Sequence, residues 1–161
     1  MSENRDVFLR ISVDSEAETA DVARALSARL AVGDVVLLNG TLGAGKTAFS
    51  RALIRAVMDD PALIVASPTF TFSQIYEGAG MLVTHFDLYR MGEPEEVFDL
   101  GWDDALTDGV TLVEWPDKLG ALAPDGALSI TIDLVEHSPN ARTLSISGDA
   151  EWQARLAGVS L

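Results

Sequence analysis

Cysteine is absent from the 161 residues, and lysine occurs only twice, as Lys46 and Lys118. Without a thiol the chain can form no disulfide, no thiolate metal site and no cysteine nucleophile, and it reads as a cytoplasmic protein. Long apolar runs are also missing. None approaches the roughly 20 residues that span a bilayer. Met1 to Arg10 mixes charges with single apolar residues and lacks the apolar centre of a signal peptide, so no membrane role is expected. No linker, repeat or low-complexity tract divides the sequence. Its 48% hydrophobic content can fill one core, and a single domain over residues 1–161 is expected. Positive charge is scarce, with 11 Lys and Arg against 25 Asp and Glu for a net charge of −14. A protein that grips nucleic acid unaided needs a basic face, because phosphate neutralisation supplies most of the affinity. Contact with RNA is therefore expected through a partner, with a local patch of Arg51, Arg55 and Arg90 as the alternative.

What is present is concentrated in one stretch. Gly40-Thr41-Leu42-Gly43-Ala44-Gly45-Lys46-Thr47 fits G-x-x-x-x-G-K-[ST], the phosphate-binding loop. Its glycines let successive N–H groups turn toward phosphate oxygens. Lys46 would meet the β- and γ-phosphates, and the Thr47 hydroxyl would be a Mg²⁺ ligand. A helix starting at Lys46 would add the positive end of its dipole. The context is what the motif requires. Val35 to Leu38 is an apolar run of the kind found in strands buried on both faces. Phe49, Leu53 and Val57, with Ala52 and Ala56 beside them, form a helical stripe.

Upstream, Val7 to Val13 alternates as a strand, and Ser15-Glu16-Ala17-Glu18 has the form of a capping box. The following helix carries Val22, Leu26 and Leu30 on one side, with Gly33 as its expected stop. Downstream, Asp59-Asp60-Pro61 breaks the loop helix. Pro68 then holds Ser67 out of the helical region in Ser67-Pro68-Thr69-Phe70. Thr69 to Tyr76 and Met81 to Phe86 read as a hairpin joined by the four residues Glu77 to Gly80. Hairpins are antiparallel, so the sheet cannot be purely parallel. Glu93 to Leu100 is an acidic helical turn or two, entered through Pro94 and closed by Gly101, either a solvated face or a surface for a basic partner. Val110 to Pro116 is a further apolar strand. Leu128 to Leu134 and Arg142 to Ser147 form a second hairpin across His137 to Asn140, and a short helix over Glu151 to Leu156 ends the chain. The fold class expected is a three-layer α/β domain of the P-loop NTPase type with a mixed parallel and antiparallel sheet.

Two carboxylates end apolar strands, where P-loop enzymes place the second acidic contact to Mg²⁺. Asp87, in His85-Phe86-Asp87-Leu88-Tyr89-Arg90, is one, with an Asp that merely opens a turn as the alternative. Glu114, in Glu114-Trp115-Pro116, is the other, and could also orient an attacking water. His85 has no second His or Cys near it and reads as a packed or capping side chain.

Taken together, the phosphate loop, Ser67-Pro68-Thr69-Phe70, the H-x-D-x-Y-R stretch from His85 and Glu114-Trp115 resemble the TsaE (YjeE) family over nearly the whole length. The resemblance implies a small bacterial ATPase needed for threonylcarbamoyladenosine beside the anticodon of tRNA, acting with the TsaD and TsaB proteins. It implies ATP and Mg²⁺ as cofactors, with tRNA met only indirectly. Leu42, Gly43, Ala44, Gly45, Lys46, Thr47 and Ala48, with Trp115 close by, would bind the nucleotide. Thr47, Asp87 and Glu114 would serve the metal. Asp87, Glu114 and Thr69, the last on a switch-like segment near the γ-phosphate, would serve catalysis. ATP over GTP follows mainly from the resemblance; the sequence adds that it contains no N-K-x-D or T-K-x-D stretch.

Two alternatives belong to other classes. A P-loop small-molecule kinase usually needs several arginines over the transferring phosphoryl group. None lies between Arg90 and Lys118 or between Lys118 and Arg142. A nucleotide-gated binding module with little hydrolysis would differ from an ATPase in turnover alone.

Overall fold

The structure, a computed structural model, describes residues 6–161, so the reading of the first ten residues falls partly outside the described chain. One seven-stranded sheet runs through it. Its strands are β1 (Val7–Val13), β2 (Val35–Asn39), β3 (Ser73–Gly78), β4 (Met81–Asp87), β5 (Val110–Glu114), β6 (Leu128–Val135) and β7 (Ser138–Ser147). The order across the sheet is β1-β7-β6-β2-β5-β4-β3. At its centre β6, β2, β5 and β4 are parallel. Antiparallel pairs finish both sides, β3 on β4 and β1-β7 on β6. The mixed sheet expected from the two hairpins is what forms.

Both faces of this centre are covered. Val36 and Leu38 of β2 point into one core with α1 (Glu16–Ser27) and α2 (Lys46–Val57), along with Trp152 and Leu156 of α4 (Ala150–Leu156). Val35 and Leu37 point the other way, into a second core with Trp102 of α3 (Trp102–Asp108), Val97 of the 3₁₀ segment Pro94–Leu100 and Leu119 of the 3₁₀ segment Pro116–Leu122. A strand buried on both sides has no polar alternation to show, which explains the unbroken run Val35 to Leu38. β6 alternates as expected, with Leu128, Ile130 and Ile132 fully buried and Asp133 exposed.

Several boundaries differ from the sequence expectation. Ser15 caps α1 by accepting from Glu18 N–H at 3.2 Å, but the Glu18 carboxylate reaches one residue further back, to Asp14 N–H at 2.6 Å. α1 ends at Ser27, well before Gly33. Gly33, at φ +93°, instead forms the turn into β2, where its N–H pairs with Gly109 C=O at 2.9 Å. The buried stripe of α2 is Phe49, Ser50, Leu53 and Ile54, with Val57 only partly covered. Both hairpin turns are tighter than expected, because Gly78 and Ser138 already belong to the ladders. In the first, Ala79 and Gly80 both take positive φ (51° and 75°), which matches the right-handed twist of the flanking strands. The helix α3 was not foreseen. Only Trp102 and Ala105 of its seven residues are buried, too few to set up a periodicity.

Candidate nucleotide site

The phosphate loop joins β2 to α2, and its geometry depends on glycine at two points. A side chain at Gly40 (φ +154°) would bring its Cβ within 2.8 Å of Ile132 C=O. Gly45 (φ +113°) is the N-cap of α2, a conformation that non-glycine residues rarely adopt. Arg142 on β7, two strands away from β2, donates its Nε–H to Ala44 C=O at 2.9 Å and braces the loop. Lys46 is 5% exposed. Its Nζ donates to Gly40 C=O at 2.6 Å and to Thr41 C=O at 3.0 Å, and it stands 4.0 Å from the centre of the Trp115 ring. Burial pushes the ammonium below its ordinary value, while the negative charges of Glu114, Asp87 and Asp117 pull it back up.

Side chains two residues apart on a strand share a face. Val83 of β4 and Val110 and Leu112 of β5 lie in the core under α1 and α2. His85 and Asp87 therefore face α2 from β4, and Glu114 does so from β5. Register sets Asp87 opposite Glu114 at the ends of these parallel strands. Thr47 Oγ1 lies 3.4 Å from Glu114 Oε1, and Thr69 donates its hydroxyl to Asp87 Oδ2 at 3.0 Å. Asp87 Oδ1 accepts from Tyr89 N–H at 3.0 Å.

Thr47, Thr69, Asp87 and Glu114 thus meet Lys46 around a recess of about 330 Å³, which Leu42, Gly43 and Gly45 line from the loop and Tyr89 and Trp115 from the opposite side. A volume of this size lies at the lower end of that seen for small-molecule sites. Ala44 turns its methyl group into the core, and Ala48 lines a different groove, so these two loop residues meet the recess with no side chain. That groove, between α1 and α2, is larger at about 600 Å³, but it contains none of the strand-end carboxylates. Arg51 and Arg55 lie along it with Arg24, whereas Arg90 does not line it and stacks on Phe70 at 4.7 Å.

Among the described residues no group of three or more His, Cys, Asp or Glu could hold a metal ion alone. The residues expected to serve a metal, Thr47, Asp87 and Glu114, bring one hydroxyl and two carboxylates to the recess, all hard oxygen. That set suits Mg²⁺, which takes one or two carboxylates and completes its shell with phosphate and water.

The family model described as "Threonylcarbamoyl adenosine biosynthesis protein TsaE" matches residues 13–144. The chain belongs to the TsaE family. Among its relatives, the tRNA threonylcarbamoyladenosine biosynthesis protein TsaE of Rickettsia conorii is 36% identical over 84% of this chain and 75% of its own. The protein of the same name from Bacillus subtilis is 38% identical over 71% of each chain. A crystal structure of YdiB from Bacillus subtilis superposes with a TM-score of 0.72 at 26% identity, covering 91% of this chain and 90% of that one. The matched TsaE segment includes every residue named around the recess.

Three participants were not singled out from the TsaE-like motifs. Tyr89 lines the recess with its ring 4.9 Å from that of Trp115. Arg142 braces the loop across 98 positions of sequence. His85 is wholly buried, with Nε2 2.6 Å from Glu114 Oε2. For Tyr89 its place in the H-x-D-x-Y-R stretch was the available signal; for Arg142 there was none.

Proposed function

We propose that this chain is a Mg²⁺-dependent ATPase that supports threonylcarbamoyladenosine modification of tRNA, on the adenosine next to the anticodon, as a partner of TsaD and TsaB. The observation that carries the chemistry is the meeting of Lys46, Thr47, Thr69 and two strand-end carboxylates around one recess. The link to tRNA modification rests on the family and on the names its relatives bear.

In this reading the loop N–H groups and the N-terminus of α2 hold the phosphates. Lys46 exchanges the carbonyls of Gly40 and Thr41 for the β- and γ-phosphates. Thr47 and a strand-end carboxylate would hold Mg²⁺, which would supply charge stabilisation at the phosphoryl oxygens. Glu114 orients the attacking water, and Asp87 holds the Thr69 hydroxyl toward the γ-phosphate side. Trp115 and Tyr89 close the recess from the side. No helix among the described residues is long and apolar enough to cross a membrane.

One component is missing from the recess among the described residues. Lys46 is the single cation among the described residues that line the recess. A positioned arginine is worth about 10³ to 10⁵ in rate in related phosphoryl transfers, or roughly 4 to 7 kcal/mol of barrier. Hydrolysis by the isolated chain is therefore slow, and the partner proteins supply a cation or order the segment around Thr69. The same shortage of cations weighs against a small-molecule kinase. A net charge of −14 favours docking on a basic partner over direct capture of tRNA. ATP turnover measured with and without TsaD and TsaB tests the reading. Acceleration by the partners is expected; equal rates alone and in the complex with tRNA would refute partner activation.

A further inference from the structure

Glu114 has two carboxylate oxygens, and their surroundings differ. Oε2 is turned inward, 2.6 Å from His85 Nε2 and 3.3 Å from Ser50 Oγ. Oε1 faces Thr47 Oγ1 at 3.4 Å, on the side of the recess. Ser50 is a weak holder of Oε2, because its one hydroxyl hydrogen is closer to Lys46 C=O, at 2.9 Å. The firm contact is the imidazole.

His85 is itself an unusual core residue. It is fully buried, and its second ring nitrogen, Nδ1, has no hydrogen-bond partner among the described residues. Buried polar atoms are nearly always satisfied, and a histidine present only to fill space could be replaced by an apolar side chain without leaving one bare. A carboxylate can only accept, so in the neutral ring the hydrogen between the two groups sits on Nε2 and Nδ1 is left a bare lone pair. Burial tolerates a bare acceptor better than a bare N–H. The ring thus has one productive contact, with a single atom of Glu114.

We propose that His85 is a positioning residue that fixes Glu114 Oε2, so that Oε1 alone is presented to the nucleotide and its metal. The proposal rests on the ATPase reading and refines it to one atom. It also separates the two carboxylates. Asp87 has both oxygens engaged by its own neighbours, Thr69 and the Tyr89 N–H, and organises the edge of the site. Glu114 keeps one oxygen, Oε1, whose only hydrogen bond among the described residues, from Thr47 at 3.4 Å, is long enough to exchange. Orientation is where such a holder matters, since a displacement of about 1 Å can lower a rate 10²-fold.

His85→Leu, His85→Gln and Ser50→Ala distinguish positioning from packing. Each is compared with wild type in ATP turnover with TsaD and TsaB, in nucleotide affinity with Mg²⁺ and with EDTA, and in thermal unfolding. Loss of a residue that orients a ligand typically lowers activity or metal affinity by about 10- to 100-fold, and His85→Leu should lower kcat by that amount with KM nearly unchanged. His85→Gln, whose amide N–H can reach the same oxygen, should recover most of the loss, and Ser50→Ala should lose less than His85→Leu. Nitrogen NMR of the wild type, free of metal and nucleotide, should show the hydrogen on Nε2. A Gln variant as slow as the Leu variant with both still folded, or an Nε2 that carries no hydrogen, overturns the proposal. Failure of the ATPase reading looks different: the wild type then hydrolyses no ATP in any combination. In that case the gain in nucleotide affinity on adding Mg²⁺ still decides, supporting positioning if His85→Leu loses about tenfold of it and overturning it if the gain is intact.

Discussion

At the floor of the recess Lys46, Asp87 and Glu114 are each 5% exposed or less, with His85 wholly buried behind Glu114, whereas at its rim Leu42 and Tyr89 are 70% and 46% exposed. The floor is placed by long-range structure: two parallel strands in register and the first turns of α2. The rim over residues 67–72 is held within itself by Phe72 N–H to Pro68 C=O at 2.7 Å, and it is tied to the end of β4 by the Thr69 hydroxyl to Asp87 and by Asp87 N–H to Phe72 C=O at 2.9 Å. A change at the floor should therefore disturb folding and chemistry together. A change at the rim should disturb chemistry and partner contact with little effect on stability. Asp87 joins the two, with its main chain in β4 and its carboxylate bound to the rim.

The largest effect should come from the floor. Lys46→Ala removes the cation aimed at the phosphates and should weaken ATP binding on the order of 100-fold by calorimetry, equivalent to about 2.7 kcal/mol. Unchanged affinity would remove the recess as the nucleotide site.

Next is Glu114→Ala, which should lower turnover on the order of 100-fold and nucleotide affinity much less. Because it leaves the buried His85 Nε2–H without an acceptor, it should also destabilise the protein by about 1–3 kcal/mol in urea unfolding. Loss of turnover with wild-type stability would break the link drawn between floor and fold.

Thr69→Ala is the matching test of the rim. Turnover should fall about tenfold, while unfolding free energy should fall by only about 1 kcal/mol, the worth of the one hydrogen bond lost to Asp87 Oδ2 on the side of the recess. A large loss of stability would show that the rim is part of the folded core after all.

The smallest effect concerns pH. The buried Lys46 has its pKa lowered below 10.5. Between the lowered value and 10.5 the unfolded chain binds this proton and the folded chain does not, so this residue makes stability rise with pH in that window. Subtracting the Tm-against-pH curve of Lys46→Met from that of wild type should isolate the rise. A flat difference would mean that the carboxylates beside Lys46 fully offset its burial.

What could be read from the sequence followed the distance over which information had to travel. The phosphate loop lies in eight consecutive residues, and an acid at the end of an apolar run is visible without knowing its neighbour, so Lys46, Thr47, Asp87 and Glu114 were all identifiable. In the sequence His85 reads as a packed or capping side chain, because its partner is 29 positions away and only the register of β4 on β5 brings them together. The end of α1 was misplaced because Gly33 signals a turn equally well after a helix or before a strand. Here it serves the strand, through its bond to Gly109.

The brace from Arg142 to Ala44 has a consequence for synthesis. Proteins emerge from the ribosome N-terminal end first. The complete phosphate-loop motif, residues 40–47, is translated long before β5 and β6, the two strands that flank β2, and longer still before Arg142. A nascent chain or truncated product ending before β7 carries the whole motif without its brace. Nucleotide affinity measured on chains released at successive lengths should therefore rise late, when the last hairpin closes, and not when the motif itself appears.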